Sequence, residues 1–444
     1  MNRAFTWILA AATAVMMAMP ALAAVEIEEI ETPGGLTAWL VEDHNHPFTV
    51  LELRFRGGSS LDAPDKRGAV YLMMGLLEEG AGELDSREHA RALERIAASV
   101  DYDSSDDEVT ITARFLTESR SEAMALLHDA IHDPHFDADS IERVRRQVLS
   151  SLSNDLKDPN AIAGRAFSEM AYGDHPYGSP GEGTIESVSA LTREDIVAAH
   201  EAVFARDRVY IGAVGDITAP ELATVVDDLL GDLPDTGAPL PGPADVALEG
   251  GVTVVPFATP QSVAYFGHKG IERDDPDFFA AYVLNHILGG GGFESRLMNE
   301  VREKRGLTYG VYSYLVPKDL AAMYMGSVAS GNDRIAEAIE VIRDEWARMA
   351  EDGVTQKELD EAKTYLTGAY PLRFDGNGRI ASIMLGMQMQ DLPTDYIATR
   401  NDKVDAVTLE DVNRVARELL DPDALHFVVV GQPEGLSSTT GSEG

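Results

Sequence analysis

Cysteine is absent from the chain. Disulfides, thiolate catalysis and Cys-ligated zinc or iron–sulfur sites are thereby excluded. Positive charge is scarce: 36 Lys and Arg stand against 75 Asp and Glu, a net charge of −39. A surface of that sign repels phosphate backbones and anionic headgroups, so nucleic-acid binding is excluded as a working function. The acid is spread along the chain, not gathered in one tail, and reads as a solvating surface whose self-repulsion salt screens. Beyond the first two dozen residues no apolar run is long enough for a membrane helix. No glycine-rich nucleotide motif follows a strand, and no G-x-S-x-G marks a serine hydrolase. What remains, 44% hydrophobic and 25% charged residues over 444 positions, is ordinary for two or three globular domains.

Residues 1–23 read as a secretory signal peptide. Arg3 supplies the positive end, Ala4 to Met19 is apolar, Pro20 interrupts, and Ala21-Leu22-Ala23 gives the small-x-small cleavage pattern. The expectation is a mature chain that is periplasmic or secreted, with no membrane span after cleavage.

The rest is a duplicated half. Thr192 and Thr408, Asp195 and Asp411, and Gly215 and Gly431 are each 216 positions apart. Each set marks an N-capped helix with an acidic first turn that leads to a β-rich strand ending at glycine. Val109 to Phe115 alternates at period two, as a half-exposed antiparallel strand does. The expected fold class is α+β: two similar domains from an internal duplication, each an antiparallel sheet with helices packed on one face. The expected divisions are 24–232, a Pro/Gly-rich linker 233–249, 250–434, and a polar tail 435–444 whose last residues, from Ser437, are expected to be disordered.

Two stretches carry a likeness. The first is Gly57-Gly58-Ser59-Ser60, then Lys66-Arg67-Gly68 and the apolar helix that follows. The second is Leu288-Gly289-Gly290-Gly291-Gly292-Phe293, then Val301-Arg302-Glu303-Lys304-Arg305-Gly306-Leu307-Thr308-Tyr309. With the duplication and the loop His175-Pro176-Tyr177-Gly178, they resemble the insulinase/pitrilysin family of zinc peptidases, nearest to its mitochondrial processing peptidase branch.

That family's signature is H-x-x-E-H on the first helix, where two histidines on one face hold zinc and the glutamate takes a proton from bound water. A glutamate on a later helix completes the set. Here the corresponding positions hold Tyr71, Met74, Gly75 and Ser151, which cannot assemble a zinc site. The resemblance therefore implies no metal in this chain. The second-half motif is kept. In the family an arginine and a tyrosine project toward the zinc of the first half and stabilise charge on the substrate carbonyl, a contribution worth roughly 3–4 kcal/mol of barrier. Arg302 and Tyr309 match those positions, and Arg305 with Tyr312 meets the same spacing. Gly289, Gly290, Gly291 and Gly292 match a loop near the family's substrate path and also fit a plain flexible turn.

In some relatives two different chains pair, one bringing zinc and the other the arginine and tyrosine. The expectation is a chain of the second kind, joined to a zinc-bearing homologue as a heterodimer and acting on peptide substrates, with zinc in the partner. The rival is a peptide-binding or scaffold protein with no part in chemistry. His128, His132 and His135 are spaced as metal ligands but are read as surface histidines, because Pro134 interrupts the helix. His44 and His46 are read as solvent-exposed, and His286 as a satisfied core residue.

Overall fold

The computed structural model describes residues 25–439. The signal peptide expected over 1–23 and residues 440–444 of the tail lie outside the described residues. Strands β1 (Glu28–Glu31), β2 (Thr37–Glu42), β3 (Phe48–Arg56), a small hairpin of β4 (Gly80–Ala81) and β5 (Leu84–Asp85), β6 (Ser99–Ser104), β7 (Glu108–Leu116) and β8 (Val209–Gly215) belong to the first half. Strands β9 (Gly251–Pro256), β10 (Gln261–Lys269), β11 (Thr308–Pro317), β12 (Ala322–Gly331) and β13 (His426–Gly431) belong to the second.

The first sheet runs β1-β2-β8-β3-β7-β6 and the second β11-β12-β10-β13-β9. Without the extra edge strand β1, the first order β2-β8-β3-β7-β6 is the second order read backwards, β9-β13-β10-β12-β11. The repeat seen as a 216-residue offset is therefore a repeat of topology. Its caps agree as well. Thr192 and Asp195 exchange side chain-to-backbone hydrogen bonds in a capping box, and Thr408 and Asp411 do the same.

Two features refine the expected antiparallel sheet with helices on one face. Each sheet contains one parallel pair, β2 with β8 and β9 with β13. The closing strand of each half returns from far along the chain and inserts between two strands that are neighbours in sequence. It lies antiparallel to β3 or β10 and must then run parallel to β2 or β9.

The second feature concerns the other face of each sheet. Helix Asn377–Met389, from the second half, packs on β3 and β8 of the first. Helix Pro159–Tyr172, from the first half, packs on β10 and β13 of the second. Their starts are 218 residues apart, so they are copies of one another. The two halves exchange equivalent helices. Trp39, Val50 and Val214 of the first sheet bury Ala381, Met384 and Met387. Phe167 and Ala171 are buried with Met323 and Val428 of the second. Strand β13 is accordingly buried at every residue, and its unbroken apolar run, Phe427 to Val430, is how a strand covered on both faces reads.

Polar contacts reinforce the join. Arg56 pairs with Asp319 at 2.8 Å, Gln388 Nε2 donates to the Ile211 carbonyl at 3.0 Å, and the Tyr177 hydroxyl lies between Asp107 and the Leu320 amide. The start of the tail is not disordered: Ser438 and Thr439 accept from the amides of Val254 and Val252. Strand β9 is an edge with free N–H groups, and the two hydroxyls meet them.

Candidate functional site

Helix Ala69–Leu76 carries the degenerate metal positions. Gly68, at φ 92°, turns the chain into it. The Asp62 carboxylate accepts from the amides of Gly68 (2.8 Å) and Val70 (3.0 Å), satisfying donors that a helix start leaves open. Burial pushes the Asp62 carboxyl up to about 6, against the pull of those amides and of Arg67. Arg67 is itself buried and bonds the carbonyls of Ser59, Pro176 and Ser179. It thereby fixes the His175–Gly178 loop beside the helix.

Along this helix Tyr71 is half-buried, Met74 lies in the first core at 2% exposure, and a Cβ on Gly75 would sit 3.2 Å from Val144 Cγ1. Ser151 is exposed on helix Ala138–Asp155. A cavity of about 520 Å³ does open beside Tyr71, lined by Ser59, Asp106, Asp155, Arg165 and Glu182 among others. Burial raises the Tyr71 phenol, and Glu182, Asp103 and Asp155 add to the shift. The four residues at the signature positions offer no imidazole and no carboxylate, and Met74 is packed away from the cavity's polar wall. They do not fit a zinc ion. Among the described residues no cluster of three His, Asp or Glu is arranged to hold a metal.

The histidines behave individually. His132 and His135 bond the carbonyls of Leu229 (2.8 Å) and Gly82 (2.7 Å), and His128 stacks on His132. His44 pairs with Asp216 at 2.7 Å, and that bond, with one to Glu42, raises its pKa. His46 is exposed. His286 differs from the expected satisfied core histidine. It is half-buried and stacks on the exposed Tyr365 ring at 5.0 Å, with its pKa lowered by burial.

In the second half, helix Phe278–Asn285 widens into a π-type turn, His286–Gly290. Gly289 is buried, and a Cβ there would meet Ser313 Oγ at 2.4 Å and Ser313 N at 2.6 Å. The start of the glycine run is therefore a close approach of helix to β11, not slack. Gly290 is exposed, Gly291 is half-buried, and Gly292 turns the chain at φ 60°.

Arg302 follows on a second widened turn, Met298–Glu303. Its guanidinium lies 4.5 Å from the centre of the Phe293 ring, and its nearest carboxylate, Glu303, is 3.7 Å away. Arg305, the alternative, is held at 2.7 Å by Glu300. Gly306, at φ 62°, ends the turn. The register of β11 on β12 then slips between Thr308 and Val311. Such a bulge re-aims a side chain, and Tyr309 sits inside it, 86% exposed, with no hydrogen-bond partner for its hydroxyl among the described residues. Tyr312 is less exposed at 47%. The Tyr309 hydroxyl is left unbonded in the fold, and Arg302 is engaged by the Phe293 ring and, at 3.7 Å, by Glu303. Sequence reasoning missed Phe293 and Tyr365, exposed aromatics that extend this surface. Phe293 immediately follows the glycine run, which was the available signal.

With both halves described, comparison with known proteins agrees on the class. The family profile for insulinase (peptidase family M16) matches residues 37–185, and the profile for the peptidase M16 inactive domain matches residues 190–366. The chain belongs to the insulinase, or M16, family. It is similar to the non-peptidase homolog YmxG of Helicobacter pylori, 26% identical over 88% of this chain and 90% of that one. It is also similar to an uncharacterized zinc protease of Streptomyces coelicolor, 27% identical over 82% and 80%. The solved peptidase M16 inactive domain from Pseudomonas fluorescens superposes with a TM-score of 0.86 at 29% identity, covering 93% of this chain and 98% of that one.

Among the described residues no helix is long and apolar enough to cross a membrane.

Proposed function

We propose that this chain is the zinc-less subunit of a heteromeric insulinase-family peptidase, exported, paired with a zinc-bearing homologue, and supplying Arg302 and Tyr309 to the peptide carbonyl. One observation carries the reading: Tyr309 is held out of the fold by a bulge with its hydroxyl unused, seven residues after an arginine whose nearest carboxylate is 3.7 Å away. A structural tyrosine would be buried or bonded. The degenerate positions Tyr71, Met74, Gly75 and Ser151 explain why the metal must come from the partner.

The chemistry asked of this chain is charge stabilisation. As negative charge grows on the carbonyl oxygen, Tyr309 donates one hydrogen bond and Arg302 a charge-assisted one. The aromatic surface of Phe293 and Tyr365 suits an unfolded peptide. The name of the Helicobacter pylori relative favours the rival reading of a peptide-binding or scaffold protein without chemistry.

Co-expression with a zinc-bearing homologue from the same compartment, size-exclusion chromatography and a peptide-cleavage assay separate the two. Tyr309→Phe keeps the ring and removes only the hydroxyl. The expected loss is about 10²–10³ in kcat, with KM moving much less. Arg302→Lys keeps charge but loses the planar fork and is damaging too. Wild-type rates in both assembled variants leave the scaffold reading standing.

A further inference from the structure

The second half contains a cavity of about 540 Å³ between helix Phe278–Asn285, the end of β11, and the segment from Tyr370 to Arg400. Its walls are aromatic: Phe278, Phe279, Tyr282, Tyr314, Tyr370 and Tyr396. Three arginines line it, Arg273, Arg373 and Arg400, and no Asp or Glu does. In a chain where acids outnumber bases by 75 to 36, that is an inversion of the local charge.

The arginines are set in place without counter-charges. Arg400 is 4% exposed, and its guanidinium lies 4.5 Å from the Tyr370 ring centre. It donates only to neutral oxygens, the Leu366 carbonyl (2.9 Å) and Asn401 Oδ1 (3.0 Å). Arg273 stacks at 4.3 Å over Phe278 and donates to the Tyr396 hydroxyl (2.6 Å) and Gln390 Oε1 (3.2 Å). Arg373 is exposed. Among the described residues no carboxylate pairs with any of the three. Burying a guanidinium without an anion is costly, and the fold accepts that cost here among six aromatic rings and neutral side chains such as Ile383, Met387 and Gln390. Burial, with the neighbouring phenols of Tyr396 and Tyr282, pushes the Tyr370 phenol up to about 12, against the pull of Arg400 and Arg373.

We propose that this cavity binds the carboxylate of a peptide, with an adjacent aromatic or large apolar side chain seated among the rings. The proposal rests on the peptide-binding part of the function above and adds to it a preference for one chemistry. Strand β11 connects the two places: Tyr309 opens it and Tyr314 reaches the cavity. At about 3.4 Å per residue that is roughly 17 Å, within reach of one bound peptide. The carboxylate comes either from a free C-terminus or from an acidic side chain.

The test is fluorescence anisotropy on the purified chain with three labelled peptides of otherwise equal sequence. One ends in Phe with a free carboxylate, one ends in Phe amide, and one ends in the amide but carries Glu beside the Phe. The free acid, the Glu peptide, or both should bind at least about tenfold more tightly than the neutral amide. Which of them does so names the source of the carboxylate. Arg373→Gln, at an exposed position, and Arg273→Gln should each reduce that ratio several-fold, with circular dichroism confirming that both variants fold. Equal affinity for all three peptides, or a ratio unmoved in both variants, overturns the cavity while leaving peptide binding intact. Binding of none overturns both readings together.

Discussion

Trp346 is fully buried, and its indole N–H donates to His268 Nε2 at 3.0 Å. That contact fixes the tautomer: Nε2 accepts, so Nδ1 carries the proton and donates to the Lys269 carbonyl at 2.7 Å. Burial holds the His268 pKa below its ordinary value. A depressed histidine contributes stability that is present above its unfolded pKa, about 6.5, and lost as pH falls through the folded value. Gln at 268 keeps an acceptor and cannot titrate. In urea titrations from pH 7 to pH 4.5, His268→Gln is therefore expected to lose stability less steeply than wild type. Met74 gives the converse case. Met74→Glu restores one residue of the metal motif but places an unpaired carboxylate at a site 2% exposed. It should cost roughly 3 kcal/mol or more at pH 7 and less near pH 5, where the group is neutral, as read from urea midpoints. At this scale the sequence was informative about what is missing, because absent donors need no structure to be seen. It could not say whether Arg302 or Arg305 was the freer, since that turns on Glu300, which folds back onto Lys304 and Arg305 and not onto Arg302.

Among the elements, the exchanged helices rest on bare backbone. A Cβ on Gly212 of β8 would lie 2.3 Å from Leu385 Cδ1 and 2.9 Å from Met384 Cε, both in residues buried at 0% exposure. Gly212→Ala is expected to destabilise by about 1–3 kcal/mol through overpacking. Gly164, in the matching helix of the first half, has nothing within 4 Å of its Cβ position. Gly164→Ala should stabilise by about 0.5–1 kcal/mol through helix propensity alone. The opposite signs, measured by thermal or urea unfolding, check the packing. The duplication was legible because capped helices and glycine-ended strands are local patterns. The exchange was not: Ile380, Ile383, Met384 and Met387 announce a buried helix but carry no label for the sheet that buries it. The parallel pairs escaped for the same reason, since strand order is set by long-range insertion.

For the whole molecule, reciprocal packing makes the halves interdependent. Cleavage at an engineered protease site between Pro239 and Leu240, in the exposed part of the connecting segment, is expected to leave the two pieces co-eluting in size-exclusion chromatography. They should also unfold in one calorimetric transition, because each piece still covers a face of the other's sheet. Two separated transitions would show that the shared helices contribute little.

The exchange of helices also bears on how such a chain changes over generations. A duplicated gene ordinarily leaves one copy free to decay. Here neither copy can be discarded, because each supplies the roof of its twin, yet nothing in that roofing depends on the residues that do chemistry. Selection on folding keeps both halves present while leaving Tyr71, Met74 and Gly75 at liberty to drift from any metal-binding ancestor. The apolar residues that roof each sheet and the residues at the signature positions are separate sets, so either can change without the other.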